Sequence, residues 1–391
     1  MSVVILGDLF TFPEGDASTN RVHTYAKGLK LNDINVHVIA FGNVYSHFGD
    51  GEINGVRYYH PFNQTGRSRY FVVRTLTKIR KYIKTLTLVR RLNRQEKIKA
   101  IIVYSLLPAT FFFSWLLTAL TGSKLIKEIS EHPLRFYESG PLKKLGPVMI
   151  RTESRLVDGI FCISHFLLNF YKSRDFPLHK LMLVPSTVDP ERFSGSSENP
   201  LPFTYVGYFG TMTFERDNID ILVRAFANVA CKYPELHLVL GGLATDSEKE
   251  KIKLLAANLS INGRLKILDY MPREEIIRYI MNSQILVMVR ADDVKLNASF
   301  PSKLAEYLST GKPVVTVNVG EISRFLTDGV NAFIVEPGDS NKLAEKIELV
   351  LSGYDSALIV GQKGKQLTDT VFNYNYQAKR IIPFIESLYK V

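Results

Sequence analysis

Short apolar runs alternate with glycine-rich loops and amphipathic stretches, twice over, on either side of a Ser/Pro-rich segment. Residues 3–6 (VVIL) form the first apolar run and lead into a loop, 7–20, rich in Gly, Pro, Asp and Ser. Val22, Tyr25, Ala26 and Leu29 then recur at helical spacing, and the apolar run 36–40 follows. A strand, loop, helix and strand in that order make a βαβ unit, whose strands lie parallel. The alternation continues through 100–104, the apolar stretch after Pro108, 124–129 and 159–163. SGSSENPLP, residues 194–202, reads as a linker.

Beyond the linker the pattern starts afresh. A strand at 203–208 runs into a loop opened by Gly207 and Gly210, and the next helix places Ile219, Leu222, Val223, Phe226, Val229 and Ala230 on one face before the strand 236–240. Strand 285–289, polar loop 290–299, helix 302–310 and strand 314–317 make another unit. Near-continuous apolar strands predict an α/β protein with two Rossmann-like, doubly wound parallel sheets. A chain of 391 residues also exceeds what one core usually organises. The expected domains are 1–195 and 196–373. The aromatic-rich segment 374–391 is expected to be a helix interrupted by Pro383, which either packs locally or crosses back to complete the first domain.

Composition narrows the class. With 46% apolar and 22% charged residues the chain is globular rather than disordered. Cys162 and Cys231 stand far apart, without a CxxC or a His pairing, so neither a disulfide framework nor a zinc site is suggested and a reducing cytosol fits. The amino terminus lacks a basic n-region and reads as a buried strand. The longest apolar stretch, 106–120, contains Pro108 and is shorter than the roughly 18–20 residues that span a bilayer; it reads as a core helix.

The charge is unevenly divided. Residues 1–200 hold 27 Lys+Arg against 16 Asp+Glu, whereas residues 201–391 are balanced at 22 each. Within 67–99, twelve basic residues face one acid, Glu96, and Val72, Leu76, Ile79, Ile83 and Leu86 form an apolar stripe at helical spacing. This describes either a solvated basic helix packed on the core or a helix that lies on anionic lipid. Nucleic acid is disfavoured, because no recognised binding motif accompanies the charge.

In open α/β sheets ligands bind at the carboxyl ends of strands, which points to the loops after Leu6, Tyr208, Leu240 and Val289. Ser302 is a candidate N-cap there, opening a helix whose end favours a phosphate, and Lys303 adds a full charge beside it. Glu306 falls one turn in, either facing solvent or accepting from ribose hydroxyls. Gly311 closes the helix before Pro313.

The segment FPSKLAEYLSTGKPVV, 300–315, followed by GEISRFLTDGVNAFIVEPGD, resembles the signature of retaining glycosyltransferase family 4, whose members have the two-domain GT-B fold. FPEGDASTNRVHTYAKGL resembles that family's amino-terminal Gly-rich loop, VGYFGTMTFERDNIDILVRAF its phosphate loop, and VPSTVDPERF the stretch before its linker. The resemblance implies two domains facing across a cleft and a nucleoside-diphosphate sugar as donor. It assigns the ribose hydroxyls to Glu306, and the distal phosphate and sugar to the backbone of 299–303, hence Phe300 and Ser302, with Leu304 next to them. Pro301 has no N–H to offer there. Arg216 is the match for a diphosphate cation, with Gly210 and Lys303 beside it, while Thr211 stands where an Arg is common. His132, in LIKEISEHP, matches a His beside the donor sugar. Gly15 and Asp16 match the Gly-rich loop, with Asn20 or Arg21 opening its helix. Ala298 occupies the position of the first Glu of the Glu-x7-Glu pattern, so that carboxylate is absent. Base contacts fall on the loop 268–271.

The reaction implied is transfer of a hexose-type group to an acceptor hydroxyl with retention, using neither metal nor organic cofactor; Asp292 and Asp293 read as polar loop lining. The charge partition suggests a lipid-linked or acidic glycan acceptor and a protein peripheral on the inner face of the cell membrane; cell-surface polysaccharide assembly is what the resemblance implies. A sugar-nucleotide epimerase of the same fold, or a non-catalytic nucleotide-binding scaffold, are the competing readings.

Overall fold

The computed structural model describes residues 1–45, 49–134, 146–195 and 198–390. Residues 196 and 197 of the expected linker lie outside the described residues. The chain divides into two units, Met1–Thr187 with Tyr374–Val391, and Val188–Asn373.

In the first unit the elements run β1 (Ser2–Gly7), α1 (Ala17–Leu31), β2 (Asn35–Ala40), β3 (Gly51–Ile53), β4 (Val56–Tyr59), α2 (Phe71–Gln95), β5 (Ile98–Tyr104), α3 (Pro108–Thr121), β6 (Lys124–Ile129), α4 (Gly146–Leu156), β7 (Gly159–Cys162), α5 (His165–Lys172) and β8 (Leu181–Leu183). Among the described residues eight strands form one sheet in the order β3-β4-β2-β1-β5-β6-β7-β8, parallel except for the β3–β4 hairpin. The order reverses beside β1, where α/β sheets of this kind place their ligands. β1 is buried along its whole length, as a central strand covered on both faces must be.

The second unit runs β9 (Tyr205–Phe209), α6 (Phe214–Asp217), α7 (Ile219–Ala230), β10 (His237–Gly241), α8 (Asp246–Asn258), β11 (Leu265–Leu268), α9 (Arg273–Asn282), β12 (Ile285–Met288), α10 (Val294–Asn297), α11 (Ser302–Ser309), β13 (Val314–Val317), α12 (Ile322–Phe325), β14 (Phe333–Val335), α13 (Ser340–Ser352) and α14 (Tyr354–Lys365). Its sheet is wholly parallel, ordered β11-β10-β9-β12-β13-β14 and reversing between β9 and β12. The chain then returns to the first unit as α15 (Tyr374–Ser387), which packs on α1.

Local structure departs from expectation in four places. α1 starts at Ala17, capped by Asp16, whose carboxylate accepts from the Ser18 amide at 3.0 Å; Asn20 and Arg21 therefore lie inside the helix rather than opening it. α15 runs through Pro383 without interruption. α3 is a core helix on one face only: Phe111 and Leu117 are buried, while Trp115, Leu116 and Leu120 are exposed. No helix among the described residues is long and apolar enough to cross a membrane.

The fourth departure is α2. Its buried residues are Lys81, Thr85, Val89 and Leu92, whereas Val72, Leu76, Ile79 and Ile83 of the apolar stripe are exposed; of that stripe only Leu86 reaches the core. Partners at the sheet explain the rotation. Lys81 Nζ donates to the Phe41 carbonyl at 2.9 Å and to Asn43 Oδ1 at 2.8 Å, and lies over the Phe41 ring. A buried ammonium is tolerated only with such acceptors, and here they stand just beyond β2.

Candidate nucleotide site of the second unit

The β9 end is shaped by two glycines. Gly210 has φ 157° and Gly242 φ 131°, and a Cβ on Gly242 would collide with the Gly210 carbonyl. The Gly210 amide donates to the Gly241 carbonyl at 2.8 Å, joining the loops after β9 and β10. Lys303, in the first turn of α11, lies against this loop. Its amine donates to Tyr208 Oη at 2.5 Å, sits 4.1 Å from that ring's centre and is 3.9 Å from Asp217. Burial is the main force on it and draws the ammonium down to about 8, with Asp217 opposing and the cations Arg290 and Arg216 adding to the shift. An ammonium so poorly compensated gains from an arriving anion.

α11 is tied to the same strand end. Tyr307 Oη accepts from the Phe209 amide at 2.6 Å and donates to the Phe209 carbonyl at 3.0 Å. The helix begins at Ser302, so its N-cap is Pro301 and not Ser302. Proline's fixed φ and missing N–H are harmless where a chain enters a helix. The Leu304 amide already donates to the Pro301 carbonyl at 3.1 Å, and the Leu304 side chain is buried. Phe300 is buried against Phe325 and Phe372, ring centres 5.5 and 5.4 Å away. Its side chain is therefore structural, and a ligand has only its backbone to meet.

One turn into α11, Glu306 is not a solvent-facing carboxylate: its side chain is 22% exposed and Arg192 Nη1 lies 3.8 Å away. Arg273, at the start of α9, interacts with both Glu306 and Arg192; burial and then Arg192 draw its guanidinium down to about 10, still charged at neutral pH. Arg192 Nη1 and Arg273 Nε are buried with no hydrogen-bond partner. Buried donors left unmet are rare in folded proteins, and each calls for an acceptor.

Arg216 sits in the short α6 with an exposed side chain, whereas Arg290, just past β12, is buried and donates to Ser299 Oγ at 2.7 Å. Asp292 accepts from Asn297 and Asp293 caps the Leu296 amide, so both organise α10. Ala298 is fully buried. Sequence reasoning missed Arg290, Arg192 and Arg273. Arg290 carried a legible signal, a cation closing an apolar strand, and Arg192 lies within VPSTVDPERF; nothing local marks Arg273.

The remaining candidates belong to the first unit. Gly15 is obligatory, because a Cβ there would meet the hydroxyls of Thr11 and Thr19. Asp16 is committed to capping α1. Arg21 is buried: its Nε meets Glu128 at 2.7 Å, its other nitrogens donate to the Val184 and Pro185 carbonyls, and Tyr25 Oη donates to the second Glu128 oxygen. His132 follows β6, where its Nδ1 accepts from the Leu134 amide and its ring lies 5.4 Å from Phe170.

These two parallel-sheet units define a GT-B fold. Sucrose-phosphate synthase from Thermosynechococcus elongatus superposes with TM-score 0.74 and 16% identity over 100% of this chain and 99% of that one. Anabaena HepE in complex with UDP-glucose superposes with TM-score 0.66 and 13% identity over 98% and 99%. Residues 191–367, most of the second unit, match the family described as glycosyl transferases group 1. The capsular polysaccharide biosynthesis glycosyltransferase CapM of Staphylococcus aureus is 25% identical over 169 residues, 43% of this chain and 42% of CapM. The chain thus spans less than half the length of that relative.

Proposed function

We propose that the protein is a family 4 glycosyltransferase that moves a hexose from a nucleoside-diphosphate sugar to an acceptor hydroxyl with retained configuration. One observation carries the reading: Lys303, under-compensated at the β9 end, lies one helical turn from Glu306 with its two arginines. Fold neighbours crystallised with UDP or UDP-glucose support a nucleoside diphosphate as the ligand of that site. Glu306 accepts from the ribose hydroxyls. Lys303, with Arg216, Arg290 and the amino end of α11, meets the diphosphate.

The acceptor oxygen bonds to the anomeric carbon as the bond to the diphosphate oxygen breaks. The diphosphate leaves with the bonding pair, and the acceptor proton passes to it. Transition-state stabilisation is then electrostatic, and protein cations supply it without a metal or an organic cofactor. CapM's role in capsular polysaccharide synthesis and the basic first unit favour a lipid-linked or glycan acceptor in cell-surface polysaccharide assembly. They also favour a location on the cytoplasmic side of the cell membrane, with no nucleic-acid partner.

The test is turnover of a panel of nucleoside-diphosphate sugars with and without extracted lipid-linked glycans. The expected result is acceptor-dependent release of nucleoside diphosphate, lowered at least 100-fold in Lys303→Ala, as for loss of one preorganised charge donor. Conversion of the donor sugar without any acceptor would instead establish an epimerase, and donor binding without turnover a scaffold.

A further inference from the structure

Arg192 comes from the short turn Pro190–Phe193, Arg273 opens α9, and Glu306 lies in α11, so three elements far apart in the chain converge on one point of the second unit. Arg192 Nη1 and Arg273 Nε are both buried there without a hydrogen-bond partner. Nη1 stands 3.8 Å from Glu306 Oε1, beyond the roughly 2.7–3.2 Å of a hydrogen bond. An oxygen about 2.8 Å from each of those two atoms fits beside the edge that they define. It has to accept from the guanidinium and donate to the carboxylate.

Charge and proton count narrow what that oxygen belongs to. Around Arg273 the acids Glu306, Glu274 and Asp189 oppose the neighbouring Arg192, so the arginines already face carboxylates and do not call for a further anion. A phosphate would meet Glu306 with like charge, and a carbonyl has no proton to give it. A hydroxyl both accepts and donates. Two guanidinium donors facing one carboxylate, whose two oxygens each accept, match two adjacent hydroxyls that each accept once and donate once. The order of groups in a nucleotide agrees with this placement: a diphosphate at Lys303 sets the ribose one helical turn on, at Glu306.

We infer that Arg192 and Arg273 donate to the oxygens of the ribose 2′- and 3′-hydroxyls while those hydroxyls donate to Glu306, and that the two arginines thereby restrict the donor to ribonucleoside diphosphate sugars. Deoxyribonucleoside donors, deoxythymidine diphosphate sugars among them, are rejected, because a missing hydroxyl leaves a buried guanidinium donor and a carboxylate unpaired together. This rests on the reading of Lys303 and Glu306 as the donor site and names the class of nucleoside that the site takes.

The experiment is calorimetric binding of UDP, 2′-deoxy-UDP and 3′-deoxy-UDP to the full chain. Each deoxy form is expected to bind at least about 100-fold more weakly than UDP, as for a site built around a ligand hydroxyl. In Arg192→Met and in Arg273→Met, UDP binding weakens at least about tenfold, the share of one hydrogen bond to a charged group. One deoxy form binds each variant as it binds the wild type, so the ratio for that hydroxyl collapses, and the unchanged affinity shows that the variant folds. Lys303→Ala weakens all three ligands together and keeps both ratios. Equal affinity of the wild type for UDP and both deoxy forms, or ratios unmoved in both arginine variants, would overturn the inference and leave the donor site in place. A wild-type chain that binds none of the three would overturn the donor-site reading, and this inference with it.

Discussion

Lys303 lies so close to the backbone of Gly210 that a single Cβ on that glycine would stand 2.5 Å from the lysine amine and 2.8 Å from its Cε. The glycine is the space in which the cation is stored, and its φ of 157° is one that side-chain-bearing residues rarely adopt.

Gly210→Ala should therefore displace Lys303 and strain the loop. The expected outcome is a loss of about 1–3 kcal/mol in stability together with at least tenfold weaker nucleoside diphosphate binding, measured by urea unfolding and calorimetry. Unchanged affinity would place the bound diphosphate away from Lys303.

Lys303 also sets a pH dependence. Its ammonium is drawn down to about 8, so the charge that attracts a diphosphate is lost as pH rises through that value. Affinity should hold below pH 8 and decline above it by at most about tenfold per unit, and Lys303→Arg should flatten the profile. Stability of the free protein runs the other way. Between pH 8 and the ordinary lysine value the unfolded chain binds the extra proton, so this group makes unfolding harder as pH rises through that window.

Tyr307→Phe removes the hydroxyl that joins α11 to both backbone groups of Phe209. It leaves a buried amide unpaired, at a cost of about 1–3 kcal/mol. Differential scanning fluorimetry should show the lower melting temperature, and nucleoside diphosphate should recover part of it by mass action.

In the first unit, Arg21→Met leaves Glu128 buried without its cation. A loss of about 3–5 kcal/mol is expected by urea unfolding, with much of it regained in Arg21→Met/Glu128→Met, where no uncompensated charge remains. If the single variant retained full stability, the pair would not anchor α1 to β6.

The central strands, their parallel sense and the placement of Lys303 and Glu306 on one short helix beside a strand end were legible from residue order, whereas β3, β4, β8, β11 and β14 were not. Alternation of apolar runs with amphipathic stretches expresses backbone geometry that each segment carries locally, and i, i+3 spacing puts Lys303 and Glu306 on one face wherever the helix goes. Folding decided what depends on partners distant along the chain. The apolar stripe of α2 faces outward because Lys81 finds its acceptors at Phe41 and Asn43; Arg290 becomes a buried cation on Ser299; Arg192 and Arg273 converge on Glu306 from different elements. Sequence period specifies that a helix has two faces, but only the energy of satisfying buried polar groups determines which of them turns inward.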